Sequence, residues 1–468
     1  MRYHTDTRTV SGVRLVFVGG GSRGWAWKFM ADLAAEPDMS GEVVLYDIDR
    51  AAADANVVIG NRIDALPEAV GRWRYRAADT LEQALEGADF VVLSFLPGTF
   101  DEMAVDVHLP ERLGIWQSVG DTAGPGGMIR ALRTLPMLAD VARAVRDVCP
   151  DAWVVNYTNP MSLGVRMLYH VFPRIKAFGC CHEVFGTQKL LAAAVSEQLG
   201  IPEPPRRDIH VNVLGINHFT WFDQASYQGV DLFPVYRAFV DKYYETGFDE
   251  PDRNWANSSF DCAHRVKFDL FRRFGFIAAA GDRHLAEFLP GDEYLRDPET
   301  VRRWKFGLTS VDWRRADLRE RQEKSRRLVS GEEPVVLEPS GEEGVLMMKA
   351  IAGLGRVVSN VNLPNAGQIP NLPREAVVET NAVFARDSVR PVLAGPMPEN
   401  LLELTLPHVD NHERILRAVE SCAREPVVRA FLHDPNTSAK CTDAETLRAL
   451  VNDMIDGTAA YLPEGWRR

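Results

Sequence analysis

Cysteine is scarce in this chain, with 6 in 468 residues. So low a count offers no disulfide framework and fits a reducing cytoplasm. Its one oddity is the adjacent pair Cys180-Cys181. Long apolar runs are also lacking, and no stretch reaches the ~20 residues a membrane span requires. The polar first ten residues lack the apolar core of a signal peptide. Net positive charge is missing too. The formal charge is −12, which argues against nucleic acid as a partner, because such proteins carry a basic face. There is no internal repeat and no low-complexity segment. What is present is a chain of 46% hydrophobic and 25% charged residues. That is the balance of a soluble globular protein, and the length suits two domains.

The first half alternates two patterns. Apolar strands at 13–18, 43–46, 90–93, 152–155 and 177–180 are separated by helical stretches such as 25–35, 51–63 and 190–199. Strands that are apolar throughout, spaced by helices, predict a parallel sheet covered on both faces. The Pro-rich segment 201–207 marks a boundary. Beyond it, 209–213 alternates and is expected to pair antiparallel with 220–227. Residues 357–362 and 376–384 read as strands. The stretches 235–244, 260–274, 314–327 and the tail from 399 read as helices. The expected fold is α/β: a Rossmann-type doubly wound parallel sheet in residues 11–203, followed by an α+β catalytic domain, residues 204–468, with antiparallel strands and helices.

Gly19, Gly21 and Gly24 stand directly after the first strand and directly before the first helix. In that context glycines let the backbone turn tightly and approach a pyrophosphate. The helix N-terminus then offers free N–H groups and a positive dipole end. Ser22 adds a hydroxyl donor. Asp47 ends the second strand, about 20 residues past the third glycine, where an acidic group accepts from a ribose diol and repels a 2′-phosphate. NAD is therefore expected rather than NADP. The bland alternative is a glycine turn without a ligand. Asp49 reads as a helix cap.

Further polar groups follow other strand ends. Cys181-His182-Glu183 comes after the last predicted strand, where open parallel sheets bind ligands, and Asn217-His218 comes after the boundary. Thiolate and imidazole together suit a divalent transition metal better than Mg2+ or Ca2+. Two protein ligands leave positions open for substrate oxygens. A packed cysteine and a satisfied core histidine account for the same residues without a metal. Asn156 and Asn159, in Asn156-Tyr157-Thr158-Asn159-Pro160, suit cofactor ribose or sugar hydroxyls, or an Asx turn ahead of a helix. In the cluster Asp282-Arg283-His284 with Glu287, Asp282 or His284 suits a base and Arg283 an anion holder. The alternative there is a capped loop. The glycine-rich stretch 121–127 approaches a ligand or is a linker. Arg130 and Arg133, three apart, share a helix face, and most such arginines are surface charges.

Together these segments, with Gly215-Ile216-Asn217-His218 and 365–373 (NAGQIPNLP), resemble glycoside hydrolase family 4 in order from about residue 13 to 385. The resemblance implies a glycosidase that uses NAD and a divalent metal, usually Mn2+, in place of the two-carboxylate mechanism. It implies oxidation of the sugar 3-hydroxyl, loss of the carbon-2 proton to a base, elimination at carbon 1, water addition and return of the electrons. Cys181 and His218 fall on the family's metal ligands, and Asn159 falls on a sugar-binding asparagine. Asn217, Arg130, Arg283 and His284 are expected nearby on the substrate. Asp282 falls in the region where some members place the base, while others use Tyr. His182 stands where some subgroups carry an acidic proton donor, so Asp121, His182 and Glu183 are all candidates for the acid. The run Cys-His-Glu-Val resembles the α-galacturonidase subgroup and differs from the Cys-Asp and Cys-Asn forms of phospho-sugar enzymes. A uronate carboxylate calls for a cation, supplied by Arg283, Arg130 or Arg133. Neutral α-galactosides, α-glucosides and α-glucuronides stay open as substrates. So do two other classes: a 2-hydroxy-acid dehydrogenase that needs no metal, and an NAD-sensing regulatory protein. The resemblance also implies a homodimer or homotetramer.

Overall fold

The apolar run 13–18 becomes the inner part of strand Thr9–Val18, where Leu15, Val16 and Phe17 are buried. Alternate residues serve opposite faces. Val16, Val44, Val91 and Val154 join one core, and Leu15, Val43, Val92 and Val155 join another. A strand buried on both sides has no solvent face to carry polar residues, which is why these runs are continuously apolar. The computed structural model describes residues 1–249, 254–256, 258 and 260–467.

Six parallel strands lie in the spatial order Arg72–Ala77, Met39–Tyr46, Thr9–Val18, Phe90–Leu93, Trp153–Asn156 and Lys176–Gly179. That is the doubly wound order with the first strand at its centre. Sequence reading misses strand Arg72–Ala77. Its Trp73 and Tyr75 are buried, but arginines alternate with them, as suits an edge strand kept from pairing further. Arg2–His4 adds a short antiparallel pairing to the central strand. The hairpin expected after the boundary forms from His210–Ile216 and Phe219–Tyr227, with Val230–Asp231 and Ile277–Ala278 completing a second antiparallel sheet.

The expected boundary at 203/204 divides the chain but not the sheet. Val357–Pro364 pairs antiparallel with Lys176–Gly179, through Asn362 opposite Gly179. Val377–Ala385 and Ser388–Pro391 then extend the same sheet. The tail also returns. Helices Glu399–Ser421, Glu425–His433 and Ala444–Gly457 place Ile415, Phe431 and Leu450 in the core of Val16 and Val91. On the opposite face, helices Trp25–Ala34 and Arg50–Asp64 lie with Gly344–Ile351, whose Met347 and Met348 join Phe17 and Phe29. Among the described residues no helix is long and apolar enough to cross a membrane.

A polar cluster at the strand ends

The glycine turn is built as its spacing requires. Gly19 and Gly20 both donate backbone N–H to the Tyr46 carbonyl, at 2.9 Å. Gly19 has φ 90, and a Cβ there would lie 1.9 Å from the Ser94 carbonyl oxygen. Only glycine fits. Ser22 closes the turn through its N–H to the Gly19 carbonyl at 3.0 Å. Gly24 is the N-cap of helix Trp25–Ala34. Asp47 accepts from the Gly21 N–H and the Asp49 N–H at 2.9 Å each, so it braces the turn from within. Asp49 caps helix Arg50–Asp64 through Ala52 N–H. Asn56 is the residue that sequence reading misses. Fully buried, its amide donates to the carbonyls of Gly20 and Ser22, and its oxygen accepts from Trp27 Nε1. A helical Asn among alanines gives no sequence signal of that task.

The second group gathers beside the loop that follows strand Trp153–Asn156. Asp121 lies just before helix Gly124–Val148, which starts inside the glycine-rich stretch, with Pro125 near its start. The glycines there serve close packing. A Cβ on Gly127 would lie 2.4 Å from the Thr122 carbonyl carbon. His218 sits at the tip of the hairpin with φ 65, a left-handed backbone. His284 lies in the short helix Asp282–Glu287. The ligand atoms of Asp121, His218 and His284 all lie within 4.8 Å of one another. The imidazole rings of His218 and His284 are 3.8 Å apart, centre to centre. Asn159 joins them, its amide donating to Asp121 Oδ2 at 3.3 Å, while its own Oδ1 is buried without a partner.

Hydrogen bonding sets the chemistry of this group. The Thr122 hydroxyl donates to Asp121 Oδ1 at 2.8 Å, so it can only accept from His218 Nδ1 at 3.0 Å. The proton of His218 therefore sits on Nδ1, and Nε2 keeps a free lone pair. Burial, and then His284, push the His218 pKa down to about 3, so the ring is neutral. Burial lowers His284 as well, and its Nδ1 is buried without a partner. Burial opposes the charge of Asp121, but Arg130, then His284 and His218, hold its carboxyl well below the usual range. Neutral imidazoles beside an ionised carboxylate, with orphaned lone pairs, are what a divalent metal recruits.

The Cys181 segment flanks this group. Cys181 is buried, and burial pushes its thiol up, with Glu379 and Glu183 adding to the effect. It stands outside the 4.8 Å grouping of Asp121, His218 and His284. Glu183 accepts from the Gly281 N–H at 2.7 Å, and its Oε1 lies 3.8 Å from His284 Nε2. His182 is exposed at the rim, with Nδ1 2.6 Å from Glu342 Oε1. Desolvation opposes its charge, but that hydrogen bond and the Glu342 carboxylate raise its pKa. Asn217 donates to Glu379 Oε2 at 3.2 Å and leaves its own oxygen buried without a partner. Glu379 is itself buried, accepts from Asn360 at 2.6 Å, and is pushed up to about 7 by burial. Sequence reading misses it, although an acid inside the apolar strand 376–384 is the signal that marks it.

Of three expectations here, two need correcting. Asn156 is fully buried and spends its amide on Thr158, donating to its carbonyl at 3.0 Å and accepting from its N–H at 3.1 Å. It forms the Asx turn of this loop, the second of the two readings its sequence offers. Asp282 does not share the environment of His284. Both its oxygens accept backbone N–H groups, from Val266 and Lys267 at 3.1 Å, at the start of helix Arg265–Phe274. Burial pushes its carboxyl up to about 6. A second grouping, Cys262, His264 and Asp282 within 4.8 Å, surrounds this cap. Finally, Arg130 and Arg133 are not surface charges. Arg133 is locked to Asp106 by two bonds, at 3.1 and 2.5 Å, with both partners 1% exposed. Arg130 is buried and donates from Nε to the Asn159 carbonyl at 3.2 Å. Arg283 is buried too, and its Nη2 donates to the Ser118 carbonyl at 3.0 Å and to Thr309 Oγ1.

A doubly wound sheet with a glycine turn after its first strand, and polar side chains gathered at the strand ends, defines the broad class of nucleotide-type α/β enzymes. The particular family follows from comparison: this chain belongs to glycoside hydrolase family 4, and is thus a glycoside hydrolase. Residues 14–197 match Family 4 glycosyl hydrolase, and residues 213–437 match its C-terminal domain. The chain is 62% identical to an alpha-galacturonidase of Lachnoclostridium phytofermentans, over 100% of both. The crystal structure of a putative glucosidase from Bacillus subtilis superposes with TM-score 0.90 at 51% identity, covering 95% of this chain and 100% of that one. A 6-phospho-alpha-glucosidase from gut microorganisms, solved in complex with NAD and Mn2+, shares the fold at TM-score 0.77 and 22% identity, covering 97% of this chain and 99% of that one.

Proposed function

We propose that this chain hydrolyses α-galacturonides, using NAD and a divalent metal such as Mn2+. The observation that carries the reading is the gathering of Asp121, His218 and His284, tied through Asn159 to the loop after strand Trp153–Asn156 of the sheet that bears the glycine turn. The full-length identity with an alpha-galacturonidase supports the uronide. The 6-phospho-alpha-glucosidase solved with NAD and Mn2+ supports the two cofactors.

The residues present fit both. A turn at Gly19 that admits no Cβ, and a helix that begins at Gly24, suit a pyrophosphate. The orphaned buried atoms of Asn159, Asn217 and His284, beside a neutral His218, suit a cation and sugar hydroxyls. Gly19, Gly21, Ser22, Gly24 and Asp47 would hold NAD. Cys181 and His218 would hold the metal, with Asp121 and His284 as further donors. When bound, NAD supplies reversible two-electron oxidation of the sugar ring, and the metal supplies positive charge beside the sugar oxygens.

The chain's own residues do the rest. Asn159 and Asn217 orient sugar hydroxyls, each tethered through its amide to a carboxylate and each presenting a free oxygen. Arg130 fixes the Asn159 loop through its carbonyl. His182, held by Glu342 at the rim, delivers a proton to the departing group. Oxidation at carbon 3 would acidify the carbon-2 proton; its loss to a base would expel the carbon-1 substituent as His182 protonates it, water would add at carbon 1 with a proton returning to carbon 2, and return of the hydride to carbon 3 would restore the hydroxyl.

The test is hydrolysis of p-nitrophenyl α-D-galacturonide in D2O with NAD, Mn2+ and a reductant, followed by NMR of the released sugar. Release that requires both cofactors and places deuterium at carbon 2 is expected. Release without deuterium at carbon 2 excludes the oxidation route. NADH accumulating with 2-hydroxy acids in place of release points to a dehydrogenase.

A further inference from the structure

Three guanidinium groups feel the charge of Asp121: Arg130, Arg283 and Arg314. Two of them are already employed, Arg130 at the Asn159 carbonyl and Arg283 at Ser118 and Thr309. Arg314 differs. It lies in the first turn of helix Val311–Ser330, which Ser310 caps by accepting from the Trp313 N–H. Just ahead of that cap, the Thr309 N–H is tied to the Ser118 carbonyl at 3.2 Å. The backbone that carries Arg314 is therefore pinned beside the loop that leads to Asp121.

Among the described residues the guanidinium makes no hydrogen bond. Its Nε is shut away from solvent and has no hydrogen-bond partner. Among the described residues no ion pair within 4.0 Å includes it. The neighbouring acids of its own helix are taken, Asp312 by Arg315 at 3.0 Å and Asp317 by Arg321 at 2.7 Å. Both oxygens of Asp121 are engaged, one by Thr122 and one by Asn159. Arg314 is half-buried, and a partly desolvated guanidinium with no hydrogen-bonded carboxylate is suited to a ligand that brings an anion. Trp313, its neighbour in the chain, meets Phe260 edge to face at 5.2 Å, with both rings partly exposed.

We propose that Arg314 is the residue that recognises the carboxylate of the sugar. A planar guanidinium matches a carboxylate with two parallel hydrogen bonds, and such charge-assisted pairs are strong and selective. Arg314 thus takes the role that sequence reading offers to Arg283, Arg130 or Arg133: Arg133 is paired with Asp106, and Arg130 and Arg283 each already donate to a carbonyl, although Arg283 also keeps an unpartnered Nε. This assignment rests on the uronide reading above.

Calorimetric titration of the NAD- and Mn2+-loaded enzyme with D-galacturonate and with its neutral methyl ester separates the two claims. The wild type is expected to prefer the acid. In Arg314→Gln, affinity for the acid falls by roughly 10- to 100-fold, the range of one charged hydrogen-bonded contact, while affinity for the ester changes less than about 3-fold. Arg314→Lys keeps part of the preference, because it keeps the charge but loses the fork. If the wild type prefers the acid and Arg314→Gln keeps that preference, or loses both ligands equally, the assignment of Arg314 is wrong. If the wild type shows no preference for the acid, the uronide reading falls with it. Unchanged NAD affinity in each variant shows that it is folded.

Discussion

At His218 the chain accepts a left-handed backbone, φ 65, that costs a non-glycine residue about 1 kcal/mol. Such strain persists where the surrounding structure fixes it and clusters at functional sites. Here the hairpin fixes it, and Thr122 determines which ring nitrogen stays free. His182 is the opposite case, an exposed side chain steered by one buried carboxylate, Glu342. If it gives a proton to the departing group, its importance depends on how badly that group needs one. A sugar or alkyl alkoxide needs it, whereas p-nitrophenolate leaves unaided. His182→Asn is therefore expected to slow an alkyl or disaccharide galacturonide by about 100-fold, within the usual range for a general acid, and the p-nitrophenyl substrate by far less. Equal losses on both, measured as kcat, would remove His182 from that role. His182, Asn159 and His218 are legible in the sequence because each lies in a polar run at a strand end, and Asp121 because it opens a glycine-rich stretch. Glu342 and Glu379 are not, because they reach the site from segments over 150 residues away in the chain, through contacts no local pattern encodes.

Elements bring these residues into register, and the loop before helix Gly124–Val148 shows how. Gln117 ties it to the Asp106 carbonyl and the Gly126 N–H at 2.8 Å each. Glu287, fully buried in the short helix Asp282–Glu287, accepts the N–H groups of Val119 and Gly120 at 2.7 and 2.8 Å. Sequence reading places Glu287 in a polar cluster but has no means to pair it with a loop so distant in the chain. Burial pushes its carboxyl up to about 8. Below pH ~4.5, the ordinary glutamate range, folded and unfolded chains both hold this proton, so its contribution to stability is complete. Between that pH and about 8 only the folded chain keeps it, so stability falls as pH rises, and above about 8 the loss is complete. Glu287→Gln keeps a carbonyl oxygen for both amides and has no proton to lose. The drop in urea midpoint between pH 5.5 and 8.5, measured without ligands, is expected to be smaller in that variant than in the wild type. Identical pH dependence in the two proteins would show that Glu287 is not the buried acid responsible.

For the whole molecule, five of the six parallel strands are readable because their inner residues are apolar, and the prolines at 201–207 suggest a boundary. The physical unit, however, is larger than either half. Three strands from beyond residue 350 complete the sheet, and three helices from beyond residue 398 fill one of its two cores. Antiparallel strands returning to a parallel sheet leave no mark on local periodicity, so sequence reading assigns them to a separate body. The consequence is measurable. A fragment of residues 1–203 would expose the edge of Lys176–Gly179, which Val357–Pro364 covers, and the apolar side chains that pack on Phe431 and Leu450. Unpaired edges and bare apolar faces drive aggregation, so the fragment is expected to be insoluble or unable to bind NAD. The full chain, by the same argument, is expected to lose its two halves together. Calorimetry should show one heat-absorption peak, and tryptophan fluorescence and far-UV circular dichroism should change at the same temperature. Two resolved transitions, with a soluble and NAD-binding fragment, would mean that the shared sheet does not couple the halves and that the boundary at 203/204 is a true domain border.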